Sequence, residues 1–571
     1  MFLQHAKKIR NQIHIFTKNE NGLNSSNQQE IIVGNFDYKF KLNETRTVKE
    51  DIEIYLSGEI FFEEDTLEKK TKDIMINFLH EVENSYRCDK LNEFFSNIDG
   101  IFIIYIYDKS KKRVLIITDR HGLRMHYWGL LNGTFSVADS ATDVAKSIGN
   151  SSLNYQSFES FYELGFLMGE HTLFNDIKLC KPATIMIYDL QREMVSQNYY
   201  WTWAKVKHLS ICFDDAVDEL GHRFIQSVKK RFNKNEKTGV SLSGGLDSRA
   251  IVAAMNHLEP DYKGYAYTFG APNSSDYTIA SQVAKRASWK HDFFEINAEN
   301  WLGPRLPIVL KTDGMYDIRH MHGVEFSEKI KNCIDVNLNG YLGDVVAGGG
   351  WIDEFYMNQR ANSKNLTDVY GKFSSFGFHS DEYFDIKNRE PALYLSRARR
   401  FTNMGVLASS QFTMHRLPFF DNALLELLMG IPDEFRQNNR LYSTMLLRFF
   451  PNFFSDIPWQ KTGKIAGLHN KKLNEKKLLF RLRRKISLIL SGNKYFYADY
   501  PNWIKRENFF EFLKNTNKDE IDLVEKYFCG PKIYDLLKVH KVRKNDLSNQ
   551  ILRLVTFEIY LAQIKNLKII K

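Results

Sequence analysis

Ser243-Gly244-Gly245-Leu246-Asp247-Ser248 stands between a short apolar run, Gly239-Val240-Ser241-Leu242, and a longer one, Ala250-Ile251-Val252-Ala253-Ala254-Met255. The first run has the length of a strand and the second reads as a helix, so the six residues form a strand-to-helix turn. Two adjacent glycines let backbone amides approach an anion closely, and the helix that follows offers unpaired N–H groups and a positive dipole end. Ser243 and Ser248 add hydroxyl donors. Asp247 is the unusual member, because a carboxylate belongs in a phosphate cradle where a cation bridges it to the phosphate. The stretch lacks the GxxxxGK[ST] spacing, which argues against an ordinary phosphoryl-transfer NTPase. A glycine-rich turn with no ligand is the competing reading, and the full six residues in this setting disfavour it.

Outward from this turn, a helix is expected over 214–231 before it and a strand over 265–269 after it. Alternating strands and helices build a parallel sheet that binds ligands at its strand ends. From about residue 380 the pattern is mainly helical. The first ~200 residues differ: 52–56, 101–107 and 114–117 read as strands, with a helical stretch over 71–82, which makes a layered α/β or α+β domain. A chain of 571 residues, 43% hydrophobic and 14% aromatic, has material for about two to four packed domains. Its net charge of +9 does not call for a nucleic-acid partner. Five cysteines, odd in number and without CxxC spacing, read as reduced thiols. Charges within 1–8 occupy the place where a signal peptide needs its apolar stretch, and no run of about 18 apolar residues appears. The expectation is a cytoplasmic protein with no membrane span.

The loop Ser243–Ser248 resembles the pyrophosphatase loop, or PP-loop, of asparagine synthetases and of the related β-lactam synthetases and lasso-peptide cyclases. That resemblance implies cleavage of ATP to AMP and pyrophosphate while a carboxylate is activated, with ATP and Mg2+ bound by Ser243, Gly244, Gly245, Leu246, Asp247 and Ser248. Further elements follow in order. Tyr267-Thr268-Phe269, then Ser275-Asp276-Tyr277 and Ala280, look like the adenine-side strand and its helix. Gly340-Tyr341-Leu342-Gly343-Asp344 with Gly348-Gly349 is similar to the family's second acidic loop, in which Asp344 would share the metal with Asp247 and Gly343 would line pyrophosphate. Val345 stands where the family carries a glutamate. Arg416-Leu417-Pro418-Phe419-Phe420-Asp421 resembles its Arg-x-Pro-Phe-Leu-Asp element, and Lys461, in preference to Lys464, falls at its active-site lysine. Asp313 is the best positional match to the family's general base, with Asp317 close by. His320-x-His322 reads as a pocket wall; without further ligands it is a poor metal site.

The resemblance extends to the first domain. Ser57-Gly58-Glu59-Ile60 looks like the family's Gly-Glu-Ile-Tyr-Asn strand, with Phe61 and Phe62 at the Tyr-Asn positions. The stretches 91–108 and 119–124 match its later elements. Together they imply an N-terminal-nucleophile-hydrolase fold over 1–205, followed by a PP-loop synthetase domain over 206–571 with a helical C-terminal part. The family's glutaminase uses a cysteine at position 2, whose thiol attacks glutamine and whose own amine is the base. Phe2 stands there, Cys88 is the nearest cysteine, and the domain is expected to be catalytically silent.

Nine Lys/Arg and a single acid between 471 and 494, with Leu478, Leu482, Ile486 and Ile489 at helical spacing, read as a basic amphipathic helix. Packing by its apolar stripe is the plainer reading; weak contact with an anionic surface is the sharper one. The function expected is an AMP-forming amide ligase that joins a small-molecule carboxylate to ammonia or an amine, by default making asparagine. Amidation of a uronic acid and closure of a lactam or peptide ring fit the same chemistry. A non-catalytic nucleotide-binding scaffold and a tRNA-modifying adenylating enzyme are the rivals from other classes, the second disfavoured by the amidotransferase-like first domain.

Overall fold

Residues 14–18, 30–33, 38–41, 52–61, 88–108, 111–149, 151–272, 274–375, 382–467, 498–506, 509, 511, 513, 522–542 and 546–570 are described by a computed structural model. The helix expected over 71–82, the basic segment 471–494, Phe2 and Phe62 lie outside the described residues.

Strict alternation builds the first half. Tyr55, Ile103, Tyr105, Val114 and Ile116 face one apolar cluster, whereas Leu56, Ile104, Ile106, Leu115 and Ile117 face another. Successive side chains on a strand point to opposite faces, so these runs make strands buried on both sides. They are β4 (Ile52–Phe61), β5 (Asp99–Asp108) and β6 (Arg113–Thr118). With β3 (Tyr38–Lys41), β10 (Thr184–Asp189) and β11 (Met194–Tyr199) they form an antiparallel sheet ordered β11-β10-β6-β5-β4-β3. A second antiparallel sheet, β2-β1-β8-β7-β9, is built from β1 (His14–Lys18), β2 (Glu30–Val33), β7 (Tyr127–Leu131), β8 (Thr134–Ala138) and β9 (Ile177–Leu179). Phe135 and Val137 of this sheet meet Tyr105, Met186 and Tyr188 of the other in a shared core. Helix α1 (Ala141–Ile148), capped by Ser140, packs on the outer face of the second sheet.

The second half is wound on a five-stranded, wholly parallel sheet. Its order is β14-β13-β12-β15-β16, from β12 (Thr238–Ser241), β13 (Tyr265–Gly270), β14 (Lys290–Glu295), β15 (Val336–Leu338) and β16 (Met414–Arg416). Helix α2 (Phe213–Arg231) leads in. Asp214 and Asp215 open it and Lys229, Lys230 and Arg231 close it, which complements the helix dipole. Its buried stripe is Ala216, Val217, Leu220, Phe224 and Val228. Helix α3 (Asp247–Leu258) follows β12 and α4 (Ser275–Arg286) follows β13. Later come α5 (Asn422–Gly430), α6 (Arg440–Phe449) and the long buried α7 (Ser548–Asn566). The α/β class and the parallel sheet agree with the sequence reading.

The two halves share their interior. One apolar cluster runs from Leu56 and Ile104 through Trp201 and Trp203 to Val240, Leu424 and Tyr442. A π-helical turn, Tyr394–Thr402, aims two consecutive arginines at the first half. Arg399 donates to the carbonyls of Gly122 and Cys180, and Arg400 to those of Gly169 and His171.

Candidate active site

Strand order puts β12 in the middle of the sheet. The chain moves from it to β13 and β14 on one side and returns to β15 and β16 on the other. The carboxyl ends of β12 and β15 therefore flank the switch point, where open parallel sheets bind their ligands. Ser243–Ser248 leaves β12 at that point, and Gly340–Asp344 leaves β15 beside it.

Helix α3 begins at Asp247 with no side-chain cap, so its start keeps the unpaired amides and positive dipole end that suit an anion. Within the loop, the Ser248 hydroxyl accepts the amide of Ser243 at 3.2 Å, and the Ser243 hydroxyl accepts that of Gly245 at 3.2 Å. The Gly244 amide donates to Asp276 on the first turn of α4 at 2.8 Å. Thr268 ties the next strand to the loop by donating its hydroxyl to the Leu242 carbonyl at 2.7 Å. Phe269 lies half-buried at the end of β13.

The acidic loop presses directly on α3. A Cβ at Gly340 would stand 2.9 Å from the Ser248 amide nitrogen, and one at Gly343 only 2.6 Å from Cγ of Asp247. Only glycine permits this approach. It allows the Asp344 amide to donate to Asp247 Oδ2 at 2.9 Å, while the Tyr442 hydroxyl donates to Oδ1 at 3.2 Å. Burial, and after it the charge of Asp344, push the Asp247 carboxyl up to about 8. Val345 is buried in the apolar core. The Tyr341 hydroxyl is buried with no hydrogen-bond partner among the described residues.

Lys461 is carried over this loop by a tight turn. Gly463 and Thr462 donate to the Trp459 carbonyl, and Trp459 bridges to Lys464. Four hydrogen bonds fix the turn above Ser243–Ser248. Gln460 donates its amide to the Gly244 carbonyl at 3.2 Å and its side chain to Asp276 at 2.6 Å. Arg249, fully buried on α3, donates to the carbonyls of Ile457 and Pro458, both at 2.9 Å. Lys461 itself is exposed, with its ammonium 5.2 Å from the Trp459 ring and close enough to Asp247 to favour that carboxylate's charged form. Ser243–Ser248, Asp344, Gly343 and Lys461 thus converge on one place.

Asp313 has other commitments. It sits at φ 51°, and its carboxylate accepts the amides of Ala141 and Thr142, each at 2.9 Å, with the Ser140 hydroxyl at 2.7 Å and the Thr142 hydroxyl at 2.5 Å. It anchors the first turn of α1, and burial raises it to about 6. No contact in the structure joins it to the loop among the described residues. His320 and His322 lie 5.9 Å apart between Phe401, Phe269 and Tyr500; burial holds His320 down at about 4. They form an aromatic wall, and among the described residues no group of three or more His, Cys, Asp or Glu is placed to hold a metal. Tyr442, Gln460 and Arg249 were not singled out from the sequence, and Asp276 was read only as part of the adenine-side helix; each acts on a residue far along the chain, and no local signal marks that contact.

Comparison with known proteins places two families on this chain. The glutamine amidotransferase domain matches 52–201, and asparagine synthase matches 219–404. A Methanocaldococcus jannaschii protein, provisionally named asparagine synthetase [glutamine-hydrolyzing] 2, is 25% identical over 47% of this chain and 52% of its own length. A second from that organism, provisionally named asparagine synthetase 1, is 24% identical over 70% and 66%. Asparagine synthetase 2 of Bacillus subtilis is 20% identical over 75% and 63%. The chain therefore spans between about half and two thirds of the length of these relatives. Among the described residues, no helix is long and apolar enough to cross a membrane.

Proposed function

This chain belongs to the asparagine synthetase family, and from that premise we propose that it is an ATP-dependent amide-forming ligase acting at the switch point between β12 and β15. The observation that carries this reading is the pairing of Asp247 with Asp344 beneath an uncapped helix start, with Lys461 held above. We take 1–205 as the amidotransferase-like unit and 206–571 as the synthetase unit.

ATP is the substrate that the loop would receive, its outer phosphates on the amides and hydroxyls of Ser243–Ser248 and its adenine toward Thr268 and Phe269. The donor set fits magnesium: two carboxylates are forced together, and burial leaves Asp247 reluctant to ionise until a cation arrives. Asp247 and Asp344 would hold the ion, with phosphate and water oxygens supplying the other ligands. Bound there, it supplies neutralisation of the pyrophosphate charge. The substrate carboxylate attacks the α-phosphate, breaking the α–β bond and giving an acyl-adenylate and pyrophosphate. A nitrogen nucleophile then displaces AMP. Lys461 stabilises the charge that develops on phosphate and on the collapsing intermediate. Asp313 takes no part in this reading, because its oxygens are occupied by α1.

Aspartate is the default carboxylate and asparagine the default product. A uronic acid, or a carboxylate and amine in one molecule closing a ring, suits the same machinery. Chromatography of nucleotides after incubation with ATP, magnesium, ammonium and a panel of carboxylates tests the proposal. AMP and pyrophosphate are the expected products. ADP with orthophosphate would overturn adenylation, and nucleotide binding without turnover on any carboxylate would favour the regulatory reading.

A further inference from the structure

We infer that Glu59 and Asp99, on the rim of the amidotransferase-like sheet, position the acid pair of the synthetase site by gripping both ends of the segment 416–421. The inference rests on the functional reading above. Register places Glu59 opposite Ile101 and Phe61 opposite Asp99, so the three side chains stand together at one end of β4 and β5. Arg416 donates to Glu59 through Nε at 2.9 Å and Nη2 at 2.8 Å, and to Glu236 through Nη1 at 2.7 Å. At the other end, Asp421 accepts Arg231 Nη1 at 2.9 Å, and Arg231 Nη2 reaches Asp99 at 2.8 Å. The same guanidinium lies 4.4 Å over the ring of Phe61. A two-pronged arginine–carboxylate pair fixes direction as well as distance.

Between these two grips the chain has no slack. Phe419 closes on the acidic loop so tightly that a Cβ at Gly343 would meet its ring at 2.8 Å. The same ring meets Tyr442 edge-on at 5.9 Å, and Tyr442 donates to Asp247. Phe420 packs on Tyr341 at 4.8 Å. A continuous line of contacts thus runs from the carboxylates of the first half to the hydrogen bond joining Asp344 and Asp247. Glu59, which by resemblance belongs to the family's Gly-Glu-Ile-Tyr-Asn strand, is here a grip on the synthetase.

The test compares MgATP and metal-free ATP binding by titration calorimetry in the full chain, alongside melting temperature. Glu59→Gln keeps the shape of the side chain and removes its charge. MgATP affinity should fall roughly tenfold or more, the scale on which supporting residues tune a metal site, with metal-free ATP binding unchanged. Glu426→Gln breaks a different ion pair across the same interface, that with Arg120, outside 416–421. It should change melting at most. Should Glu59→Gln fail to fold, Phe419→Leu cuts the same line at its middle and must show the same metal-selective loss. Wild-type MgATP affinity in Glu59→Gln or Phe419→Leu overturns the inference. So does an equal loss in Glu426→Gln, which would mean a loosened interface and nothing more. Wild-type protein that binds no MgATP would instead fail the functional reading itself.

Discussion

The Asp247 carboxylate accepts the backbone N–H of Asp344 at 2.9 Å, joining two loops 97 residues apart in sequence. Asp247→Asn and Asp344→Asn should each abolish AMP formation. They should differ in their effect on the ligand-free fold. Asp247 is pushed up to about 8 by burial and by Asp344, so the folded chain keeps this proton over a range in which the unfolded chain has lost it. Its contribution to stability is full below pH ~4 and declines as pH rises to about 8. Asp247→Asn removes that decline. Thermal melts without magnesium should show the variant gaining on wild type between pH 4 and 8.5; a constant difference across that range would exclude the buried-carboxyl account.

Lys461 is exposed and held only through its neighbours, so its truncation should leave the fold alone. Lys461→Ala is expected to slow AMP formation by ~10²–10³-fold, the usual cost of losing one charge-stabilising donor, at unchanged melting temperature. Lys464→Ala, on the far side of the same turn, should stay within a few-fold of wild type. Reversed effects would exchange the two lysines.

Asp313→Asn separates a helix anchor from a base. An amide nitrogen cannot accept the hydrogen bonds that α1 now directs at both carboxylate oxygens, and leaving a buried donor unmet costs about 1–3 kcal/mol. Denaturant titration should record that loss while the turnover of folded enzyme stays near normal. Lost turnover at full stability would restore Asp313 as the base.

Glutamine should not serve as the nitrogen source through Cys180. This thiol is fully buried and pushed up to about 12 by burial. Phe61 lies under Arg231, and Glu59 is taken by Arg416. Glutamine incubated with the protein should release no glutamate, whereas free ammonia at raised pH, or an amine cosubstrate, should support synthesis. Glutamate release lost in Cys180→Ala would overturn this prediction, and steady release that survives both Cys180→Ala and Cys88→Ala would reveal a nucleophile elsewhere.

What the sequence made legible is what local pattern encodes. Strands expected over 101–107, 114–117 and 265–269 fall inside β5, β6 and β13, and the helix expected over 214–231 is α2 to within one residue. The loop Ser243–Ser248 was readable because glycine chemistry and its strand–helix setting coincide in a dozen residues. Tyr442, Gln460 and Arg249 were not, because their meaning lies in partners 195, 216 and 208 residues away. Asp313 was legible only in part, for a related reason. Its place between the motifs suited a base, but the helix it holds belongs to the other half of the chain.

The shared interior has a thermodynamic consequence. Trp201 and Trp203 belong by sequence to the first half, yet they pack with Tyr383 and Tyr394 of the second. Four buried arginines, Arg231, Arg399, Arg400 and Arg416, find partners across the boundary. Parting the halves near residue 206 would take the first-half partners from all four and open the shared apolar cluster to water. Neither half then has a complete interior of its own. The unit of sequence and the unit of cooperative unfolding should therefore differ here: a chain matched by two family models is expected to melt in a single calorimetric transition.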